Sequence, residues 1–410
     1  MPAAPVLAYG VLGLPLAFAA LPLYVHVPRF YAETTGLELA TLGVILLVAR
    51  LLDAGTDPWF GWLADRVRRP HMLAWALLPF ACGFFALLNP PATNAAAWLF
   101  ASLALTYLGF SAATVAYQAW GAEIGRDARQ RTRLTAAREG FGLLGVVLAA
   151  ALPGLLAPQP AQGIALLAWI LPPLLLGAAA TTFRYLGMGA ASHLQARSLR
   201  PLWPSLRATL ADAAFRRLLV VFVANGIAAA LPATLFLFFV ADVLQAERVS
   251  GALLALYFIA GAASLPLWVR LAARRGRVFA WLASMLLAMV AFAGASLLGP
   301  GDLAVFTVIC LASGLALGAD LALPAAMAAD LGERQGQSGA CFGVWNFVTK
   351  LNLALAAGLA LPLLGGLGYV PGGSAGLPAL SFAYAILPLA FKMLAAMLLW
   401  RWRHFLEIDK

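Results

Sequence analysis

Apolar residues run through this chain in stretches of about 20, the length at which a helix crosses the hydrocarbon core of a bilayer. They lie near 6–27, 36–64, 72–89, 95–121, 139–157 and 161–186, and again near 216–240, 250–272, 278–298, 303–328, 339–366 and 379–400. Backbone inside a bilayer must satisfy its own hydrogen bonds, and unbroken apolar runs rather than short alternating strands select helices. The pattern therefore predicts an all-α polytopic membrane protein with twelve transmembrane helices. The first stretch has neither a basic leader nor a clear cleavage site and reads as a retained helix. The longest polar interval falls at mid-chain. It divides an expected N-terminal six-helix bundle (1–187) from a linker (188–215) and a C-terminal six-helix bundle with a short tail (216–410).

Charge fixes the expected orientation. Basic residues follow the even-numbered stretches: Arg66, Arg68 and Arg69; Arg126, Arg129, Arg131 and Arg133; Arg197, Arg200 and Arg207; Arg274, Arg275 and Arg277; Arg334; Arg401, Arg403 and Lys410. After the odd-numbered stretches stand only Arg29 and Arg248. Positive loops mark the cytoplasmic side, so both termini are expected there. The same distribution accounts for the net charge of +10 without a nucleic-acid partner, since the arginines are spread over short loops. Composition agrees, with 63% hydrophobic residues, 11% charged residues and a mean hydropathy of +0.89. Cys82, Cys310 and Cys341 lie in or beside apolar stretches without metal-like spacing and read as small buried hydrophobes.

A faint repeat links the halves. Shifting by 208 residues lays Pro58, Leu63, Ala64, Arg66 and Arg69 on Pro266, Leu271, Ala272, Arg274 and Arg277, closing the second stretch of each half. The same shift sends Asp53 to Gly261 and Asp57 to Leu265, so two acids inside the second stretch belong to the first half alone. A carboxylate at hydrocarbon depth costs at least about 2.5–3.5 kcal/mol, and chains keep one there mainly for ion pathways, proton relays or substrate pairing. Asp53 and Asp57 share a helix face, with Arg50 three residues before Asp53. Two acids so placed can share a small cation or a proton; the alternative is a packing ion pair with Arg50, which balances only one of them.

Three segments carry a family resemblance: VARLLDAGTDPWFGW in the second stretch, YQAWGAEIGRDARQRTRL from Tyr117 to Leu134, and LPAAMAADLGERQGQSGACFGVWNFVTKLNLALAAGLALPLLGGLGY from Leu323 to Tyr369. They resemble, in order and spacing, the glycoside–pentoside–hexuronide:cation symporters of the major facilitator superfamily, the branch that contains melibiose permease. The resemblance implies the major facilitator fold, two pseudo-symmetric six-helix bundles with a substrate cavity between them near the midplane. It also implies a secondary symporter in a bacterial inner membrane, working as a monomer, with no cofactor beyond a coupling cation (Na+, Li+ or H+). Its cation site falls here on Asp53, Asp57, Thr56 and Ser111, oxygen ligands that suit a hard metal ion; two carboxylates alone could hold a proton. The lysine of the eleventh helix falls on Lys350, which can neutralise the acids when the cation leaves or can form a packing pair with another acid such as Asp320.

The family's sugar site is only partly matched. Its sugar-gripping acids fall on Ala17 and Thr114, its stacking tryptophan on Gln118, and its fifth-helix arginine on Glu139 with Arg138 one residue earlier. The remaining cavity candidates are Thr114, Tyr117, Gln118, Trp120, Arg138, Trp345, Asn346 and Lys350. Aromatics and amides of this kind suit a sugar or glycoside. The same wall without carboxylates suits a lysolipid or other amphipath, with Arg138 or Lys350 meeting its phosphate.

Candidate coupling and gating residues are Arg50, Lys350, Asp320, Asp65 and Arg66. Asp320 stands inside the tenth stretch, as an ion-pathway or interhelical-pairing residue, and Asp65 with the following arginines reads as a latch between the second and third helices. Pro153, Pro172, Pro173, Pro232, Pro266 and Pro324 are expected to shape the helices. The chain has no phosphate-cradling Gly loop followed by Lys and Ser/Thr, and His26, His71, His193 and His404 stand singly, so the reading is a transporter and not an enzyme.

Overall fold

The computed structural model describes residues 2–35, 37, 39–91, 93–157, 160–187, 201–369 and 375–407; His193, Arg197, Arg200, Lys410 and the side chain of Arg29 lie outside the described residues. Helices dominate: α1 (Ala3–Leu21), prolonged through Pro22–His26 and Val27–Thr35, α2 (Leu39–Ala64), α3 (Arg69–Leu87), α4 (Ala95–Ile124), α5 (Ala128–Leu156) and α6 (Pro160–Leu186). A short helix α7 (Leu202–Ala211) precedes α8 (Ala213–Val243), α9 (Ser250–Arg275), α10 (Arg277–Ala293), α11 (Leu303–Arg334), α12 (Ser338–Gly366) and α13 (Leu377–Arg401). Among the described residues ten helices are long and apolar enough to cross a membrane, and α2 and α12 bring the helices to the predicted twelve. It is α2 that carries the buried acids.

Two boundaries differ from expectation. Helix α5 starts at Ala128 rather than near 139, because Asp127 caps it by accepting a 2.7 Å hydrogen bond from the Gln130 N–H. Helix α11 runs past 328 to Arg334 and takes in Asp330 and Glu333. Gly336, at φ +62°, makes the turn into α12, a conformation costly for other residues. The expected linker is not wholly polar chain, since it contains α7.

The chain forms two compact units: Met1–Thr209 with Ala328–Phe347, and Leu210–Met327 with Val348–Lys410. They differ from the linear halves suggested by the repeat, because residues 328–347 pack with α2 and α5. The first unit has a core of Phe18, Phe80, Phe84, Tyr107, Tyr117 and Trp120. In the second, Phe239, Phe306 and Tyr384 pack together, with Phe239 and Tyr384 stacked at 4.1 Å. Outward-facing Leu51, Trp75, Leu155, Leu176, Leu286 and Val290 are more than half exposed, a surface that fits lipid rather than water.

Candidate cation and substrate site

Asp53, Asp57 and Gly61 recur every four residues on one ridge of α2, and Asp65 continues the spacing into the turn that follows. Asp53 and Asp57 are buried at 3% and 0% exposure. The Ser111 hydroxyl on α4 donates a 2.6 Å hydrogen bond to Asp53 Oδ1, so the predicted hydroxyl and acid meet. Thr56 donates to the Asp53 carbonyl at 2.9 Å, a turn of back-bonding that leaves its oxygen lone pairs available. Arg50 is exposed and, like Asp53, within electrostatic reach of the Tyr107 hydroxyl. Among the described residues no cluster of three or more His, Cys, Asp or Glu forms a metal cage; a metal ion here would need the two acids with neutral oxygens.

Further along the ridge, α2 meets the start of α12. A Cβ on Gly339 would sit 2.2 Å from the Gly61 carbonyl oxygen, and one on Gly343 would sit 2.6 Å from the carbonyl oxygen of Asp57. Small residues spaced by four allow this backbone approach. Beyond the crossing, Asp65 accepts hydrogen bonds from the Gly339 and Ala340 N–H groups at 2.7 and 2.8 Å, occupying the free donors that begin α12. Burial pushes the Asp65 carboxyl above its ordinary range, opposed by Arg69 and these two N–H groups.

Of the arginines expected beside Asp65, Arg69 pairs with it. Arg69 meets Asp65 at 3.2 Å and Glu123 at 3.1 Å, and it donates to the Ala119 carbonyl at 3.1 Å, tying α2, α3 and α4. Arg66 lies 3.8 Å over the Trp62 ring and donates to the Trp62 carbonyl. A second pair, unforeseen in the sequence, joins Arg131 of α5 to Asp330 of α11 at 2.8 Å.

The cavity candidates divide. Trp120 is 2% exposed and packs on Phe183 of α6, and Tyr117 is bound into the core by reciprocal side chain-to-carbonyl hydrogen bonds with Tyr9, so both are wall-builders rather than exposed platforms. Arg138 is paired with its neighbour Glu139. Trp345 and Asn346 are buried in the first unit at the start of α12. Among the cavity candidates three polar atoms are buried without a hydrogen-bond partner: Thr114 Oγ1, Gln118 Oε1 and Asn346 Nδ2. Thr114 and Gln118 lie one turn apart on α4. Lys350 belongs to the second unit.

In the second unit Asp320 is held by Lys392 Nζ at 2.5 Å and Trp281 Nε1 at 2.8 Å. Its pairing partner is therefore Lys392, not Lys350. Sequence reasoning missed Lys392 although it stands inside the stretch 379–400, because no acid lies near it in the chain to suggest a pair.

A family model for "MFS/sugar transport protein" matches residues 2–404. The chain belongs to this family. Among curated relatives, "Putative glycoside/cation symporter YagG" of Escherichia coli K12 is 43% identical over 56 residues, 12% of each chain. "Inner membrane symporter YicJ" of the same organism is 33% identical over 133 residues, 30% of this chain and 28% of the relative. The matches thus span under a third of those relatives. Family membership carries the major facilitator fold, and solved structures share it: a bacterial homologue of the iron transporter ferroportin, outward-facing, has a TM-score of 0.73 at 15% identity, covering 98% of this chain and all of that one. The human organic anion transporter MFSD10 has a TM-score of 0.66 at 19% identity, covering 97% of this chain and all of that one. These matches are transporters, and the chain is a transporter-family protein rather than an enzyme.

Proposed function

We propose that this protein is a cation-coupled symporter for a small uncharged polyhydroxyl solute, a sugar or glycoside, in a bacterial inner membrane with both termini cytoplasmic. The observation that carries the coupling is the pair of buried acids on one ridge, with Ser111 already on Asp53. A cation (Na+, Li+ or H+) bound at Asp53 and Asp57, with Thr56 and Ser111 as further oxygens, removes buried negative charge. It also braces α2 against α4 beside Thr114 and Gln118. The two six-helix bundles then rock about the midplane, and the latch at Asp65 parts when the site opens to the cytoplasm. Coupling is reciprocal, so the solute raises cation affinity by the factor by which the cation raises solute affinity.

The partnerless atoms support this solute class: a hydroxyl, an amide oxygen and an amide N–H are neutral donors and acceptors of the kind that sugar hydroxyls pair with. A lysolipid phosphate would want a free cation, and Arg138 is already engaged by Glu139, which weighs against that cargo. Lys350 is assigned the neutralising role when the cation leaves.

The test is tryptophan fluorescence of purified protein titrated with sodium, lithium and pH, in wild type and in Asp53→Asn and Asp57→Asn. Saturable responses lost in both variants support the site. Responses unchanged in both would sink it, and a response to pH alone would assign the proton.

A further inference from the structure

Helix α7 buries two hydroxyls beside Leu206 and turns its tryptophan outward. Ser205 and Thr209 are buried at 2% and 0%, while Trp203 is 72% and Leu210 41% exposed, with Pro204 and Arg207 exposed between them. A helix bathed in water would show its hydroxyls and hide its tryptophan. The inward hydroxyls have a purpose, since both converge on one atom, Gln337 Oε1, at 3.3 Å from Ser205 and 3.0 Å from Thr209. Gln337 is the last residue of the turn before Ser338, and the next two N–H groups are those gripped by Asp65. The outward face combines an aromatic ring, a leucine and a guanidinium at positions 203, 207 and 210, one side of the helix. That combination fits the headgroup layer of a bilayer, where tryptophan sits at the interface and arginine meets lipid phosphate.

We propose that α7 lies in the headgroup layer on the side of the basic loops, bound to anionic lipid through Trp203 and Arg207, and that it clasps the α11–α12 turn through Gln337. Anionic lipid then favours the latched arrangement of α12 on α2. The occupant is a lipid surface rather than a protein, because an exposed arginine beside an exposed tryptophan and leucine matches a layer of phosphates over acyl chains. The latch is thereby adjusted from a site that touches neither cation nor solute.

The test needs neither ligand. In phosphatidylcholine and in phosphatidylglycerol-rich nanodiscs, a spin label at Trp203→Cys reports depth through its relaxation by oxygen and by a water-soluble nickel chelate. Cys341, fully buried beside the clasp, reports opening through its alkylation rate when Cys82 and Cys310 are replaced by serine. The label is expected to favour oxygen over nickel. Alkylation is expected to slow by about fivefold in the anionic discs, the population change that one surface charge near an anionic leaflet supports. Arg207→Gln should lose the lipid dependence. Gln337→Met should lose it too, while the label keeps its depth. If Gln337→Met does not fold, Ser205→Ala with Thr209→Val removes the same hydrogen bonds from the other side. A label open to nickel overturns the membrane seat. An alkylation rate blind to lipid charge, or a lipid effect that survives Arg207→Gln and loss of the Gln337 contacts, overturns the clasp. Because no cation or solute is added, these failures are separable from any failure of the symport assignment.

Discussion

Ser111 and Asp53 are bound at 2.6 Å, one from α4 and one from α2, and both side chains are buried. A hydrogen bond to a charged group contributes roughly 1.5–3 kcal/mol, so Ser111→Ala should raise the half-saturating sodium or lithium concentration by about tenfold or more. A proton-driven carrier responds in the opposite sense, because a carboxylate that loses a donor takes up a proton more readily. Cation titrations of the variant at fixed and varied pH therefore check the site and separate metal from proton. No change in either would remove Ser111 from the cation assembly.

The crossing of α2 and α12 gives the second prediction. Valine at Gly343 would drive its Cβ to 2.6 Å from the Asp57 carbonyl oxygen and 3.0 Å from the Gly61 Cα, both backbone atoms that cannot step aside. Gly343→Val should therefore break the Asp65 clasp, accelerate alkylation of Cys341 and abolish solute accumulation, with the protein still present in the membrane. Alkylation at the wild-type rate would mean that the ridge contact does not govern opening.

Why some of this was readable and some not follows from the kinds of residue involved. Spans, acids and basic loops are composition events confined to one stretch, so the twelve helices and the acids Asp53, Asp57 and Asp65 were plain in the sequence. Ser111 was found through a family pattern and not from its own surroundings, which hold several other small polar residues. The backbone partners of Asp65 were hidden, since Gly339 and Ala340 offer N–H groups, which every residue has, while Arg69 was legible only as one of three arginines that follow Asp65. Helix α7 was lost inside a polar interval because it buries two hydroxyls and turns its tryptophan outward. Lys392 and Asp320 are 72 residues apart, a pairing that no local pattern encodes.

Thr114 and Gln118 carry buried polar atoms without partners, which penalise the carrier and, in the proposed function, would pair with the solute. Removing such an atom relieves a cost of about 1–3 kcal/mol, so Thr114→Val should raise the thermal stability of the solute-free protein while weakening solute binding. Unfolding in detergent with and without sugar checks both signs together. A stabilised empty protein with unaltered solute affinity would move the solute away from α4.

Asp320 and Lys392 pose the sharpest choice between architecture and transport. Breaking a buried pair by removing one partner costs about 3–5 kcal/mol, because the remaining charge stays buried without compensation. Lys392→Met alone should therefore lower the unfolding midpoint strongly, and Asp320→Leu should do likewise. Replacing both removes the two charges together, and packed apolar groups of similar volume then recover most of the loss. The decisive readout is accumulation in the double variant. A stable protein that still accumulates solute in response to cation assigns the pair to helix packing among α10, α11 and α13. A stable protein that binds cation at Asp53 and Asp57 but no longer accumulates places Asp320 on the transport pathway of the second unit.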